Sequence, residues 1–123
     1  MTERQSKSLT FISRRPPYGS DNALACLDLV LASAVFEQNV NYLFMGDGVF
    51  QLLKSQQSEG IESKNVMSLL LALPIYGVEN VFVDDLSLHQ RNLSLEDLAI
   101  KTTLLNSQQV RQLVLSADVV FNL

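Results

Sequence analysis

Along the chain, short apolar runs alternate with longer stretches in which apolar residues recur every three or four positions, so strands and helices are expected to take turns. After a polar start, SLTFIS (Ser8 to Ser13) reads as a buried strand. RRPPYG then supplies turn chemistry before Ser20 or Asp21 offers a cap for a helix running to about Gln38. VNYLFM (Val40 to Met45) is a second strand, stopped by Gly46-Asp47-Gly48, and VFQLLK begins a short helix. SQQSEGIESK (Ser55 to Lys64) has little to bury and reads as a surface loop. A helix from about Ser63 to Leu73 ends at Pro74 and Gly77, and NVFVD (Asn80 to Asp84) is a third strand. Ser94 to Asp97 forms a Ser-x-x-Asp capping pattern, followed by a weak strand in AIKTTLL, a helix from about Asn106 to Ala117, and a last strand in DVVFNL.

This order, with strands apolar on both sides, predicts a single α/β domain over residues 1–123. It is a three-layer α/β/α arrangement around a mostly parallel five-stranded sheet. Ligand sites in such sheets gather at the carboxyl ends of strands, which directs attention to the loops RRPPYGS, GDGVF and DDLSLHQ.

Composition changes the picture in two respects. Hydrophobic residues make up 47% of the chain and charged residues 18%, leaving few groups to solvate the surface and favouring association with a partner. The net charge of −4 argues against a broad phosphate-binding face, so direct nucleic-acid binding is not expected. The longest apolar run, Leu69 to Leu73, stops far short of the roughly 20 residues of a membrane span. A single cysteine cannot close an internal disulfide, and no charged-then-apolar leader opens the sequence; the expected setting is a reducing cytoplasm.

The candidate chemistry at the loops is thin. Arg14 and Arg15 could meet a phosphate, but their loop holds two consecutive prolines and lacks both a G-x-G-x-x-G and a P-loop lysine pattern, so no nucleotide or flavin cofactor is expected. Asp47 and the pair Asp84-Asp85 end neighbouring strands and make a weak hard-cation hypothesis; turn aspartates bonding their own backbone are the ordinary alternative. His89 has no cysteine or histidine at ligand spacing, so no metal site is expected there.

Cys26 is the only cysteine. On a wheel of about 100° per residue, Leu24, Leu27, Leu31 and Val35, flanked by Ala23, Val30 and Ala34, form the stripe expected to face the sheet, and Cys26 falls on its border. The residues three and four positions away are Ala23, Leu29, Asn22 and Val30, none of them basic, so nothing there activates a thiol. Packing is the expected role of Cys26, with catalysis as its rival. A second apolar face, Ala25, Leu29, Ala32 and Phe36, exceeds what a helix lying on a sheet needs and reads as a subunit interface, a neighbouring helix of the same chain being the alternative.

The stretches FISRRPPYGS, ALACLDLVLASAVFEQNVNYLFMGDGVFQLLKSQQ, LPIYGVENVFVDDLSLHQRNL and ADVVFNL, in this order over nearly the whole chain, resemble the DsrE-like family of bacterial sulfur relay, and within it the TusC/DsrF branch. The resemblance implies a heterohexamer, a dimer of trimers, with sister subunits of the TusB/DsrH and TusD/DsrE types. Such a complex passes persulfide sulfur to a TusE/DsrC-like acceptor for 2-thiolation of the tRNA wobble uridine, or, in the DsrF setting, serves dissimilatory sulfur oxidation. The sister subunit's active cysteine lies at the end of the third strand, which here falls at about Val83 or Asp84. Neither is a thiol, so the resemblance implies a structural subunit that is not catalytic alone. It also assigns the second helix face to a sister subunit, with Val49, Phe50 and Leu52 as a further contact patch or, alternatively, a core-facing helix. A standalone thiol sulfurtransferase using Cys26 and a flavodoxin-like small-molecule binder are the competing readings.

Overall fold

The computed structural model describes residues 7–17, 22–36, 39–54 and 61–123, with side chains from 66 onward in the last segment. Five strands form one parallel sheet: β1 (Ser8–Ser13), β2 (Asn39–Phe44), β3 (Asn80–Asp84), β4 (Thr103–Leu105) and β5 (Val119–Asn122). Their order is β4-β3-β2-β1-β5, so β1 lies between the second strand and the last. The interior strands carry apolar residues at successive positions because both of their faces are covered. Phe11 points into one core and Ile12 into the other, as do Tyr42 and Leu43 on β2.

The larger core lies under α1 (Asn22–Val35) and α2 (Ile61–Ala72), where Phe11, Tyr42, Phe44 and Val83 meet Leu27, Val30, Val66 and Leu70. The smaller core lies under α4 (Ser107–Ser116), whose Val110, Leu113 and Val114 pack on Ile12, Leu43 and Leu105. Asn106 caps α4 by accepting from the Gln109 N–H at 2.8 Å, while the Gln109 side chain accepts from the Asn106 N–H at 2.9 Å. This is the reciprocal capping box that satisfies two orphan donors.

Most elements fall where the sequence pattern places them, and the differences have local causes. The segment after β2 is a 3-10 helix that starts at Gly46 and runs to Leu52, so the glycine pair lies inside the helix and is not a turn before it. α2 starts at Ile61, earlier than Ser63, and passes at Leu73 into a 3-10 turn that admits Pro74 in its first positions, where no N–H donor is needed. Gly77, at φ +85°, ends that turn. DDLSLHQ is not a loop: α3 spans Asp85–Gln90, because the Asp84 carboxylate caps it. α1 ends at Val35, short of the expected end near Gln38, and residues 61–64 of the expected loop Ser55 to Lys64 are the first turn of α2; the expected caps Ser20 and Asp21 and residues 55–60 of that loop lie outside the described residues.

Candidate functional site

The carboxyl ends of β1, β2 and β3 form a rim tied together by hydrogen bonds. Asp84 Oδ2 accepts from the Ser87 N–H at 3.1 Å and from the Ser87 hydroxyl at 2.6 Å, and Ser87 Oγ in turn accepts from the Gly46 N–H at 2.8 Å. This chain joins the end of β3 to the loop after β2. Asp47 receives Nε and Nη2 of Arg91 at 3.2 and 3.0 Å, and Arg91 also donates to the Ser87 carbonyl and lies 5.9 Å from the centroid of the Phe50 ring. The two candidate acidic positions are thus spent on a helix cap and an ion pair. Among the described residues, no three His, Cys, Asp or Glu side chains converge as metal ligands. Asp85 and His89 are exposed on α3.

Beneath the rim lies a buried polar knot that the sequence pattern did not reveal. Gln51, fully buried, donates from Nε2 to the Ser13 hydroxyl and to the Arg15 carbonyl, both at 2.8 Å. A glutamine inside the apolar run VFQLL was the available signal, since a buried amide is kept only where it finds partners. The bonds fasten the 3-10 helix to the end of β1, where Gly48 approaches Ser13 so closely that a Cβ would stand 2.0 Å from the Ser13 carbonyl oxygen. On the far side of β1, Arg14 Nε donates to Asn122 Oδ1 at 2.9 Å, so one of the two loop arginines braces β5.

Cys26 belongs to this knot. It is 1% exposed, inside the core and not on the border of the stripe. The buried residues of α1 are Ala23, Cys26, Leu27 and Val30, whereas Leu24 and Leu31 are half-buried and Val35 is exposed. The true stripe is therefore turned by roughly 60° from the expected one, at about 100° per residue. A small thiol fits beneath the helix as a packing residue, with the bulkier Leu24 at the edge of the core and Val35 turned outward. Burial pushes the Cys26 thiol up to about 11, offset in part by the Tyr42 and Ser13 hydroxyls nearby. The Tyr42 hydroxyl is also held well above its ordinary range by burial and by Cys26, and it closes no hydrogen bond of good geometry. A thiol at about 11 inside a packed core is protonated and inaccessible at neutral pH, the reverse of an activated nucleophile.

Of the candidate interface residues, Ala25, Leu29, Ala32 and Phe36 stand on the solvent side of α1, Leu29 at 45% and Phe36 at 70% exposure. Val49 and Leu52 are fully buried and pack in the chain's own core, so they are not contact residues. Their apolar faces answer the need of the 3-10 helix to cover β1 and β2. Phe50 is half-buried under Arg91. Val83 is buried, and Asp84, 5% exposed, is committed to capping α3. No described helix is long and apolar enough to cross a membrane.

The fold and rim define an α/β/α domain with a parallel sheet of order 4-3-2-1-5, whose strand ends are locked by short hydrogen bonds and whose single thiol lies in the core. Residues 7–123 match the model of the DsrE/DsrF-like family, and the chain belongs to that family. The chain is 37% identical to a protein named TusC homolog from Pseudomonas aeruginosa, over 96% of its own length and 99% of that protein's. It is 30% identical to protein TusC of Buchnera aphidicola, over 94% and 98% respectively. Identity to the intracellular sulfur oxidation protein DsrF of Allochromatium vinosum is 39%, over 75% of this chain and 68% of that one. The crystal structure of the ychN protein from E. coli superposes with a TM-score of 0.77 over 95% of this chain and 99% of the other, at 22% identity, which shows a shared fold.

Proposed function

We propose that the chain is a structural, non-catalytic subunit of a cytoplasmic sulfurtransferase complex that relays persulfide sulfur toward 2-thiolation of the tRNA wobble uridine. Its partners in this reading are sister subunits of the TusB/DsrH and TusD/DsrE types in a heterohexamer, with a TusE/DsrC-like protein accepting the sulfur. The TusC names of two full-length relatives support the branch. The observation that carries the non-catalytic part is the state of the only thiol: Cys26 is 1% exposed and pushed up to about 11. A persulfide carrier needs an accessible thiolate. At the end of β3, where the sister subunit is expected to hold its cysteine, this chain has Val83 in the core and Asp84 on a helix cap.

The outward face of α1 is the proposed contact with a sister subunit, since Leu29 and Phe36 expose apolar surface that the sheet does not use. Co-expression with the two sister chains followed by native mass measurement tests this reading. One complex containing all three is expected, weakened by Leu29→Asp or Phe36→Asp; three separate species would contradict it.

A second reading, a subunit serving sulfur oxidation, is favoured by the likeness to the Allochromatium vinosum protein. Deletion of the gene separates the two: loss of thiolated tRNA with intact sulfur oxidation supports the first, and the converse supports the second.

A further inference from the structure

A cleft of about 590 Å³ opens at the amino ends of β3 and β4, on the α2 side of the sheet and at the opposite end of the strands from the rim. That volume falls within the range of roughly 300–1,000 Å³ that small-molecule pockets occupy. The buried Leu70, Leu73 and Val81 and the more open Leu71 and Ile100 make its lining apolar, and two exposed charged residues, Glu79 and Lys101, line it as well. Neither charge is ion-paired within 4.0 Å among the described residues. Thr102 adds a third polar group. Phe82 is opposite Thr103 in the sheet, so one step back along that register sets Thr102 opposite Val81, on the cleft side, and Thr102 Oγ1 is buried with no hydrogen-bond partner among the described residues. A buried hydroxyl in that state still has a partner to find.

We propose that this cleft binds a small zwitterion with an apolar body, an apolar α-amino acid or a dipeptide of such residues, with its carboxylate toward Lys101, its ammonium toward Glu79 and its side chain against the leucine walls. Charge decides among the ligands that the apolar lining would admit. A neutral apolar molecule strips water from two unpaired charges and leaves them without partners, which is unfavourable. A fatty acid meets Lys101 but brings its carboxylate near Glu79, and an alkylamine meets Glu79 but brings its ammonium near Lys101; like-charge juxtaposition suppresses both. A ligand that carries both signs satisfies both residues at once. Its carboxylate also supplies an acceptor of the kind the Thr102 hydroxyl lacks. Both charged side chains are exposed, so each ion pair is worth only about a 1.5- to fivefold change in affinity, and selectivity comes from having the two together. The site lies apart from the rim and from the outward α1 face and does not depend on the sulfur-relay reading.

Amide NMR of the isotope-labelled full chain tests the proposal. The probes are L-leucine and leucyl-leucine, which distinguish a free amino acid from a dipeptide as the tighter ligand, with isocaproate and isoamylamine presenting the same apolar body with one charge each. Saturable shifts at Leu71, Ile100 and Thr102 are expected with the zwitterions, and binding weaker by about two- to fivefold with either single-charge probe. Glu79→Gln should weaken leucine by a similar factor while tightening isocaproate, and Lys101→Gln should weaken leucine while tightening isoamylamine. A folding defect could not produce that crossed response. Thr102→Val should weaken leucine and isocaproate but leave isoamylamine unchanged, with thermal stability no lower than the parent's, since the hydroxyl it removes is unpaired. No saturable shift at the cleft with any probe, shifts confined to other surfaces, single-charge probes that bind as tightly as leucine, or variants that act alike on every probe would overturn the proposal.

Discussion

Replacing Gly48 by alanine asks whether the contact between the 3-10 helix and β1 holds the rim together. Gly48 has no positive φ, so its requirement is steric and not conformational. An added Cβ would lie 2.0 Å from the Ser13 carbonyl oxygen, 2.8 Å from the Ser13 carbonyl carbon and 3.3 Å from the Arg14 Cα. Ordinary contact begins near 3.4 Å, so relief requires the two backbones to part by about 1.4 Å. A shift of that size breaks both Gln51 hydrogen bonds, at 2.8 Å each, and strains the Met45 N–H bond to the Ser13 carbonyl at 3.1 Å. At about 1 kcal/mol per bond this comes to roughly 3 kcal/mol, and disturbed packing of the fully buried Val49 and Leu52 brings the expected loss to about 3–5 kcal/mol. Gly77→Ala is the control: nothing lies within 4 Å of its Cβ, but φ is +85°, so only the left-handed strain of about 1–2 kcal/mol applies. Urea denaturation of both variants, with unchanged m-values, measures the difference. Gly48→Ala within about 1 kcal/mol of the parent, or less destabilising than Gly77→Ala, would refute the assignment of this contact as the anchor of the rim.

Three further outcomes follow from buried groups. The Cys26 thiol stands near 9.0 when unfolded and about 11 when folded, so its contribution is fully present below pH 9 and lost as pH rises through 11. About 2–3 kcal/mol of stability should disappear across that window, and denaturation of Cys26→Ala as a function of pH should show a shallower alkaline decline. Asp84→Ala removes the cap of α3 and leaves Ser87 without its acceptor, costing about 1–2 kcal/mol by thermal or urea unfolding. Tyr42→Phe removes a fully buried hydroxyl that closes no hydrogen bond of good geometry, so stability should be unchanged or raised by up to about 1 kcal/mol, and a loss of more than about 1 kcal/mol would show the hydroxyl to be bonded.

The alternation of elements was legible in the chain because parallel strands buried on both faces leave continuous apolar runs, as in NVFVD, and because Pro74, Gly77 and the Ser94 pattern punctuate them. The direction of α1 was legible only coarsely. With leucine, valine and alanine on nearly every side of that helix, a wheel cannot rank faces by polarity. Leu24 and Val35 drew the stripe toward themselves while the smaller Ala23 and Cys26 took the close approach to the sheet. Val49 and Leu52 read as a contact patch for the same reason, since apolar character does not say which surface it will cover. The Gln51–Ser13 hydrogen bond spans 38 positions and the Arg91–Asp47 tie spans 44, so neither leaves a local spacing to find. The absence of a thiol at the end of β3 was visible directly, because it needs only a residue type at one strand end.

The central proposal, that this chain supports sulfur transfer without carrying sulfur, is tested most directly by intact-mass analysis after a persulfide donor is incubated with this chain co-expressed and purified with the proposed sister subunits. Sulfur adducts of about 32 Da are expected on a sister chain, with this chain unchanged in mass and the adducts undiminished by Cys26→Ala, as a sealed thiol requires. A 32 Da adduct on this chain that vanishes with Cys26→Ala would contradict the account.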